Sequence, residues 1–456
     1  MSADPVRRRA VDLLVQVDQG GQLDNLLDVA LAAADKRGDE PRDRAFLAEL
    51  VRGTLQWQLR YDHLIARYSR REAPTDPRIL AVLRLTLHQL VALDQVPPYA
   101  AVHQAGELCR AVRGPRFVGF VNGMMQAARR ELRPDDRTDP AGREARLRAA
   151  CADLGEGSAA WLAVWHAHPR WLVERWLDRF GAEPTTALLA WNNRPVPLAL
   201  RVLEPQDPAG AMAALAAADC PVAAGDDPRT LLCLERPDRA AIAELHRRFG
   251  WLLVQDPGVQ QATSWLLDGV DGSTGAVLDL CAAPGGKTRR LAAAWPGDRP
   301  LVAVDHRPAR VRLLRAAAAS IGGRSVSLVA ADGTRPPFAD GSFAVVLLDG
   351  PCSGSGVLRH HPDGRHQLGP ATAAANAPTL LALARRAAGL LAPGGVLLYA
   401  TCSLETEENE QVLDSLLASG LPLAPLPHAD GRWRRTWLPG EAGGDGFFAA
   451  RLRRMS

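Results

Sequence analysis

Apolar residues recur at helical spacing early in the chain, first as Val11, Leu13, Leu14 and Val17, then as Leu47, Leu50, Val51 and Leu55. Intervals of three and four residues place each set on one face of a helix. The stretch from Ile79 to Leu90 is apolar nearly all round, which predicts a helix buried on every side. Pro97-Pro98 and Gly114-Pro115 end its neighbours, and no alternation of apolar and polar positions signals a strand here. The pattern predicts an all-α domain over residues 1–133.

Charge and proline then take over, with Pro134, Asp135, Asp136, Asp139 and Pro140, so residues 134–160 are expected to form a linker that can carry a short helix. Periodicity resumes at Trp161, and Pro169 to Trp176 sets aromatics near one helical face. Leu198–Val202 and Leu231–Leu234 have the composition of short strands around a helix from Ala209 to Ala218, giving a small α+β module over 161–255. Residues 256–456 alternate strand and helix: Ala276–Leu280, a helix from Lys287, Leu301–Asp305, a helix from Pro308, Val326–Ala330, Phe343–Leu348, a helix over Ala373–Leu391, and Gly395–Ala400. This order predicts an α/β, Rossmann-like, doubly wound sheet that binds ligands at the carboxyl ends of its strands.

Composition adds little to the fold but narrows the setting. A chain of 456 residues exceeds one ordinary core, in keeping with several domains. The net charge of +3 neither demands nor excludes a polyanion. Lysine occurs only at Lys36 and Lys287, the remaining positive side chains being arginine, a bias that GC-rich coding explains as well as phosphate binding does. The 7 cysteines form no CxxC pair and no zinc-like spacing, which predicts free thiols in a reducing compartment and no metal. Without a signal-like start or an apolar run of membrane length, a cytoplasmic location is expected.

The candidate chemistry lies at strand ends. The strand Val277–Leu280 runs into Cys281-Ala282-Ala283-Pro284-Gly285-Gly286-Lys287-Thr288, small residues that let a backbone approach a ligand. The loop lacks both the GxGxxG and the GxxxxGK[ST] spacings, which disfavours NAD and ATP. Asp305 ends the next strand, where an acid can accept from ribose hydroxyls, and Asp332 closes the third; an acidic end on three successive strands fits an adenosine ligand better than chance solvated aspartates. Cys352 follows the fourth strand and Cys402 the fifth, so two thiols are expected to face one crevice. A single cysteine is more often a small core residue, but these two are flanked by Pro, Thr, Ser and Gly.

The segments DLCAAPGGKT (Asp279–Thr288), LLDGPCSGSGVLRHHPD (Leu347–Asp363) and LLYATCSLETEENE (Leu397–Glu410) together resemble the RNA cytosine-C5 methyltransferases. Gly444 to Ala450 resembles that family's closing strand. Asp43–Phe46, Leu83–Leu85, Pro98–Val102 and Gly119–Gly123 resemble the NusB-like RNA-binding domain, a pairing characteristic of bacterial 16S ribosomal RNA enzymes of the RsmB, Sun or Fmu type. The resemblance implies S-adenosylmethionine as cofactor, RNA as partner, and no membrane, metal or obligate oligomer. It implies that Cys402 attacks C6 of cytosine, that Cys352 assists product release, and that Asp349 hydrogen-bonds the base edge beside the cofactor. Cys281 to Lys287, Asp305, Asp332 and Asp349 would form the cofactor site, with Lys287 beside cofactor and base.

The pattern departs from the family at several positions. The segment His306–Arg310 is looser, so Arg310 is only a weak cofactor candidate. Gly350 stands where alanine is frequent, Arg359-His360-His361 replaces a more arginine-rich run, and Asp363–His366 lacks the usual tryptophan. Residues 199–250 match least. The Glu407–Glu410 run is expected to open the helix after Cys402. Arg7 to Arg9, Arg60, Arg67, Arg70, Arg71, Arg113 and Arg116 could contact phosphates or could simply be solvated. Two alternatives are a transfer RNA methyltransferase and a non-catalytic RNA-binding or antitermination factor.

Overall fold

In the computed structural model the described residues are 3–69, 73–132, 139–235, 237, 239–270, 275–295, 299–319, 321 and 325–456. Arg70 and Arg71, and Pro134, Asp135 and Asp136 of the expected linker, lie outside them. The chain groups into two compact units, one of residues 1–193 with 360–369 and one of residues 194–359 with 370–456.

Among the described residues the regular elements of the first unit are all helices. Two of its first five helices start on side-chain caps: Asp4 accepts from Arg7 N at 2.9 Å at the head of Pro5–Asp18, and Asp76 accepts from Arg78 N at 3.0 Å at the head of Pro77–Ala92. The latter helix buries every residue from Ala81 to Leu90, as its all-round apolar character predicts. Its one buried imidazole, His88, bonds Tyr61 Oη at 3.0 Å, beneath Gly53, where a Cβ would fall 2.3 Å from the His88 ring. The helices Pro140–Ala149, Ala159–Trp165, Arg170–Phe180 and Ala182–Trp191 belong to this unit. Spatial grouping therefore departs from the boundary expected at 161.

The segment 360–369, drawn from between the two cysteine motifs, belongs to this unit too. Arg365, fully buried, donates from Nη1 to Gln56 O (3.0 Å) and Ala167 O (3.2 Å) and from Nη2 to Asn192 O (2.7 Å). These carbonyls stand at or just beyond the C-termini of Pro41–Gln56, Ala159–Trp165 and Ala182–Trp191. Helix C-termini leave carbonyls unpaired and carry partial negative charge, so one guanidinium serves three helix ends.

The second unit holds two sheets. Strands β1 (Ala199–Val202), β2 (Val222–Ala224), β3 (Thr230–Cys233) and β4 (Leu252–Val254) form an antiparallel sheet in the order β2-β3-β1-β4, with helices Pro208–Ala216 and Arg239–Arg248 in the same module.

The larger sheet contains β5 (Val277–Asp279), β6 (Leu301–Asp305), β7 (Val326–Ala330), β8 (Phe343–Asp349), β9 (Leu391–Thr401), β10 (Leu423–Pro425), β11 (Arg434–Trp437) and β12 (Phe447–Arg454). Its order is β10-β12-β9-β8-β5-β6-β7, with β11 on β12. Strands β5 to β9 are parallel; β5, β6 and β8 read as apolar runs because both faces are covered, whereas the edge strand β7 is only partly buried. From β5 the chain steps outward through β6 and β7, then returns to β8 on the other side, so the strand order reverses at β5. Beyond β9 the sheet turns antiparallel, which the strand-helix alternation did not predict.

Candidate active site

The loop after β5 is shaped by close approaches. Gly285 has φ of +111°, and a Cβ there would meet Ala317 Cβ at 2.5 Å, so glycine is required both for the turn and for the space. The helix Gly286–Ala294 begins immediately, turning its first N–H groups toward the carboxyl ends of the strands. Ala282 and Ala283 are buried; Cys281 is half-buried, and burial pushes its thiol well up, with the charges of Asp279, Asp349 and Asp305 adding to the effect. It is suited to lining the loop rather than to attack.

Asp305 is buried at the end of β6, where Oδ2 accepts from Ala283 N at 3.2 Å and so ties the second strand end to the loop. Arg310 donates from Nη2 to Ala283 O at 2.7 Å and lies 3.6 Å from Asp305 Oδ2, which makes it a brace behind the loop. Asp332 is exposed two residues past β7, with Oδ1 accepting from Thr334 N and Oγ1 at 2.9 and 2.8 Å. Asp349 ends β8 and pairs with Lys287 Nζ at 2.8 Å; the same ammonium lies 4.8 Å from the Phe447 ring centroid.

Asp279 was missed as a functional candidate. It is fully buried, accepts from Thr288 Oγ1 at 2.6 Å through Oδ2, and its Oδ1 has no hydrogen-bond partner among the described residues. A carboxyl in an otherwise apolar strand was the available signal. The small-residue loop, the helix start, the buried Asp305 and the orphaned Asp279 oxygen provide close backbone approach, N–H donors and carboxylate acceptors at one place. That donor set fits S-adenosylmethionine, which carries an adenosine and a zwitterionic amino-acid tail.

Cys352 and Cys402 converge as their positions predict, with Sγ atoms 3.3 Å apart. The cause lies in the register of β8 against β9, which sets Asp349 opposite Ala400 and brings both following loops to one crevice. The loops are cross-linked: Gly356 N donates to Cys402 O (2.9 Å), and Leu404 N donates to Ser355 Oγ (2.9 Å). At Gly356 a Cβ would meet Gly446 O at 2.4 Å. Cys352 is pushed well up by its hydrogen bond to Cys402, by burial and by the Glu408 charge.

Two departures from the family pattern gain a structural account. At Gly350 a Cβ would lie 2.3 Å from Leu380 Cδ2, so in this chain leucine occupies the space of an alanine methyl. Arg359 is buried and donates to Arg194 O and Pro195 O. The next helix, Glu410–Leu417, opens on the last residue of the acidic run as expected, but Glu408 does not cap it and is fully buried beside Ser353. Several of the N-terminal arginines are engaged with neighbours: Arg9 pairs with Asp39 (2.6 Å), Arg67 with Glu131 (2.9 Å) and Arg113 with Asp76 (2.5 Å). Arg60 is buried with its guanidinium 4.0 and 4.4 Å from the ring centroids of Trp57 and Trp165. No helix among the described residues is long and apolar enough to cross a membrane.

A Rossmann-like sheet with a small-residue loop after its first strand, and paired thiols after its fourth and fifth, defines the class as an S-adenosylmethionine-dependent RNA (cytosine-C5)-methyltransferase. The chain belongs to the 16S rRNA methyltransferase RsmB/F family. That family's model matches residues 265–453, a NusB family model matches 4–130, and a ferredoxin-like domain of the RsmF/B-like methyltransferases matches 168–240. The probable ribosomal RNA small subunit methyltransferase B of Bacillus subtilis is 30% identical over 100% of both chains. The putative methyltransferase Rv1407 of Mycobacterium tuberculosis is 35% identical over 99% of this chain and 97% of its own. Among solved structures, PH0851 shares the fold with a TM-score of 0.74 at 21% identity over 99% of each chain. NSun6 from Pyrococcus horikoshii with SFG has a TM-score of 0.53 at 18% identity, covering 64% of this chain and 99% of its own.

Proposed function

We propose that this protein methylates C5 of a cytosine in 16S ribosomal RNA through a covalent adduct between Cys402 and C6 of the base. The observation that carries the mechanism is the pair of thiols 3.3 Å apart. C5 of cytosine is a weak nucleophile until a group adds at C6 and converts the ring to an enamine, and a thiolate is suited to that addition. Cys402, after losing its proton to solvent, is the attacking thiolate, and the Cys352 thiol, 3.3 Å away, is within reach to donate a hydrogen bond to it. Asp349 at the end of β8 is placed to hydrogen-bond the base edge, with Lys287 fixing its orientation. After methylation the C5 proton passes to a base and Cys402 leaves C6 as a thiolate, again stabilised by Cys352 S–H.

S-adenosylmethionine supplies the electrophilic methyl group when bound. The residues that would hold it are Cys281 to Lys287, Asp305, Asp332 and Asp349. The 16S assignment draws on the names of the relatives and on the NusB family match. A cytosine buried in a helix must be flipped out, because C6 is attacked from the ring face.

Bisulfite sequencing of 16S RNA from cells carrying the wild-type protein or the Cys402→Ala variant tests the function directly. One protected cytosine that becomes convertible in the variant is the expected result. Labelled methyl transfer confined to transfer RNA would move the substrate, and no transfer to any RNA would overturn the proposal.

A further inference from the structure

The serines that follow the two cysteines touch: Ser353 Oγ lies 3.2 Å from Ser403 Oγ. Glu408 fastens this contact from behind. Its Oε1 accepts from Ser353 N and Asn376 Nδ2, each at 2.7 Å, and its Oε2 accepts from Ser353 Oγ at 2.6 Å. The Glu408 main-chain carbonyl also accepts from Tyr399 Oη, and Tyr399 lies on β9 three residues before Cys402. Glu408 thus holds the loop bearing Cys352 and the strand leading to Cys402 at once.

A carboxylate fully removed from solvent is costly unless its lone pairs are used. Among the described residues the hydrogen-bond partners of the Glu408 carboxylate are neutral. A helix cap does not require a fully buried side chain with three donors, and simple capping leaves this arrangement unexplained.

We propose that Glu408 is a positioning residue for the methylation reaction, holding the loop that bears Cys352 against the loop that bears Cys402. This rests on the cysteine-adduct mechanism above and adds to it the residue that holds the two cysteine loops together. Cys352 is faced by Cys402 from the β9 loop, by Tyr399 within β9, and by Glu408; Asp349, paired with Lys287 of the helix after β5, ends its own strand. Apart from Lys287, which is engaged by Asp349, the groups named are anionic or neutral. The surroundings therefore favour a protonated Cys352.

Glutamine is the informative replacement because it keeps size and one acceptor but removes the charge and turns an NH2 group on one of the Ser353 donors. Two measurements on the full-length protein test the proposal. In the first, alkylation of Cys352 by iodoacetamide is followed across pH by mass spectrometry of the Cys352 peptide, with no RNA present. The midpoint is expected at lower pH in Glu408→Gln than in wild type, and nearer to wild type in Glu408→Asp, which keeps the charge. In the second, Glu408→Gln is expected to lower kcat about tenfold or more, the scale of one lost charge-assisted hydrogen bond, with KM for RNA within about twofold of wild type.

An unchanged alkylation midpoint in a folded Glu408→Gln variant overturns the proposal, as does unchanged turnover. Since alkylation needs no methyl transfer, an inactive wild-type protein would count against the enzymatic mechanism while leaving the thiol measurement decisive for Glu408.

Discussion

Lys287 Nζ donates to Asp349 Oδ2 across 2.8 Å, linking the loop after β5 to the end of β8. Lys287 is one of only two lysines in the chain, and its compact ammonium sits 4.8 Å from the Phe447 ring centroid, a space that a planar guanidinium would fill differently. Replacing Lys287 by methionine keeps the stem and removes the charge, so Asp349 loses its orientation. Methyl transfer is expected to fall by about 10²-fold, with smaller recovery in Lys287→Arg than charge alone would give. Steady-state kinetics with labelled S-adenosylmethionine measure this, and full activity in Lys287→Met would remove Lys287 from the site.

The thiol pair predicts opposite outcomes for its two members. Cys402→Ser is expected to lose methyl transfer by at least about 10³-fold and to form no adduct, since the nucleophile itself is gone. Cys352→Ala leaves the nucleophile but removes the S–H donor that stabilises it as a leaving group. A covalent RNA–protein species should then accumulate and appear as a retarded band on a denaturing gel. A freely turning-over Cys352→Ala variant without that band would sink the assignment.

Asp279 provides a pH signature. Burial pushes its carboxyl from an ordinary value of 3.8 up to about 7, with the Thr288 hydrogen bond opposing and the charge of Asp349 adding. Between those values the folded protein holds a proton that the unfolded chain has released, so the contribution to stability is full below about 4 and is lost as pH rises towards 7. Asp279→Asn keeps an acceptor for Thr288 and cannot ionise. The variant is expected to be the more stable protein at pH 8, by up to about 4 kcal/mol, with the gap closing towards pH 4. Thermal melts of both proteins across this range check it, and a gap independent of pH would show that Asp279 does not titrate as described.

The parallel strands β5, β6 and β8 were legible because each is an apolar run ending in Asp, and the same reading of strand ends located the loop after β5 and both thiols. The antiparallel strands β10 and β11 were not: Leu423–Pro425 is too short to show a period, and Arg434–Trp437 carries two arginines. Glu408 resembled a helix cap because local acids before a helix usually are, whereas its partners Ser353 and Asn376 are distant in sequence. Asp332 shows the converse. It stands where a strand-end acid was expected, yet it is exposed and its described hydrogen bonds close its own turn.

Arg365 is a case where only the folded chain reveals the role, and it yields a stability prediction. Burial lowers its guanidinium to about 9, and no carboxylate pairs with it among the described residues. Taken alone, a buried unpaired cation is destabilising, and an apolar replacement would relieve that. Against this stand four acceptors within 3.2 Å: the carbonyls of Gln56, Ala167 and Asn192, and Asn193 Oδ1 at 2.8 Å. Three of them stand at helix C-termini with no further turn to bond them, and stranding buried acceptors at about 1 kcal/mol or more each outweighs the relief. Arg365→Met is therefore expected to destabilise the helical unit by about 3 kcal/mol, and Arg365→Lys to recover little, because one ammonium cannot span the same fork. Hydrogen exchange should show the loss at the ends of helices Pro41–Gln56, Ala159–Trp165 and Ala182–Trp191, while S-adenosylmethionine binding at low temperature persists. Unchanged exchange at all three helix ends would mean that the guanidinium does not hold them.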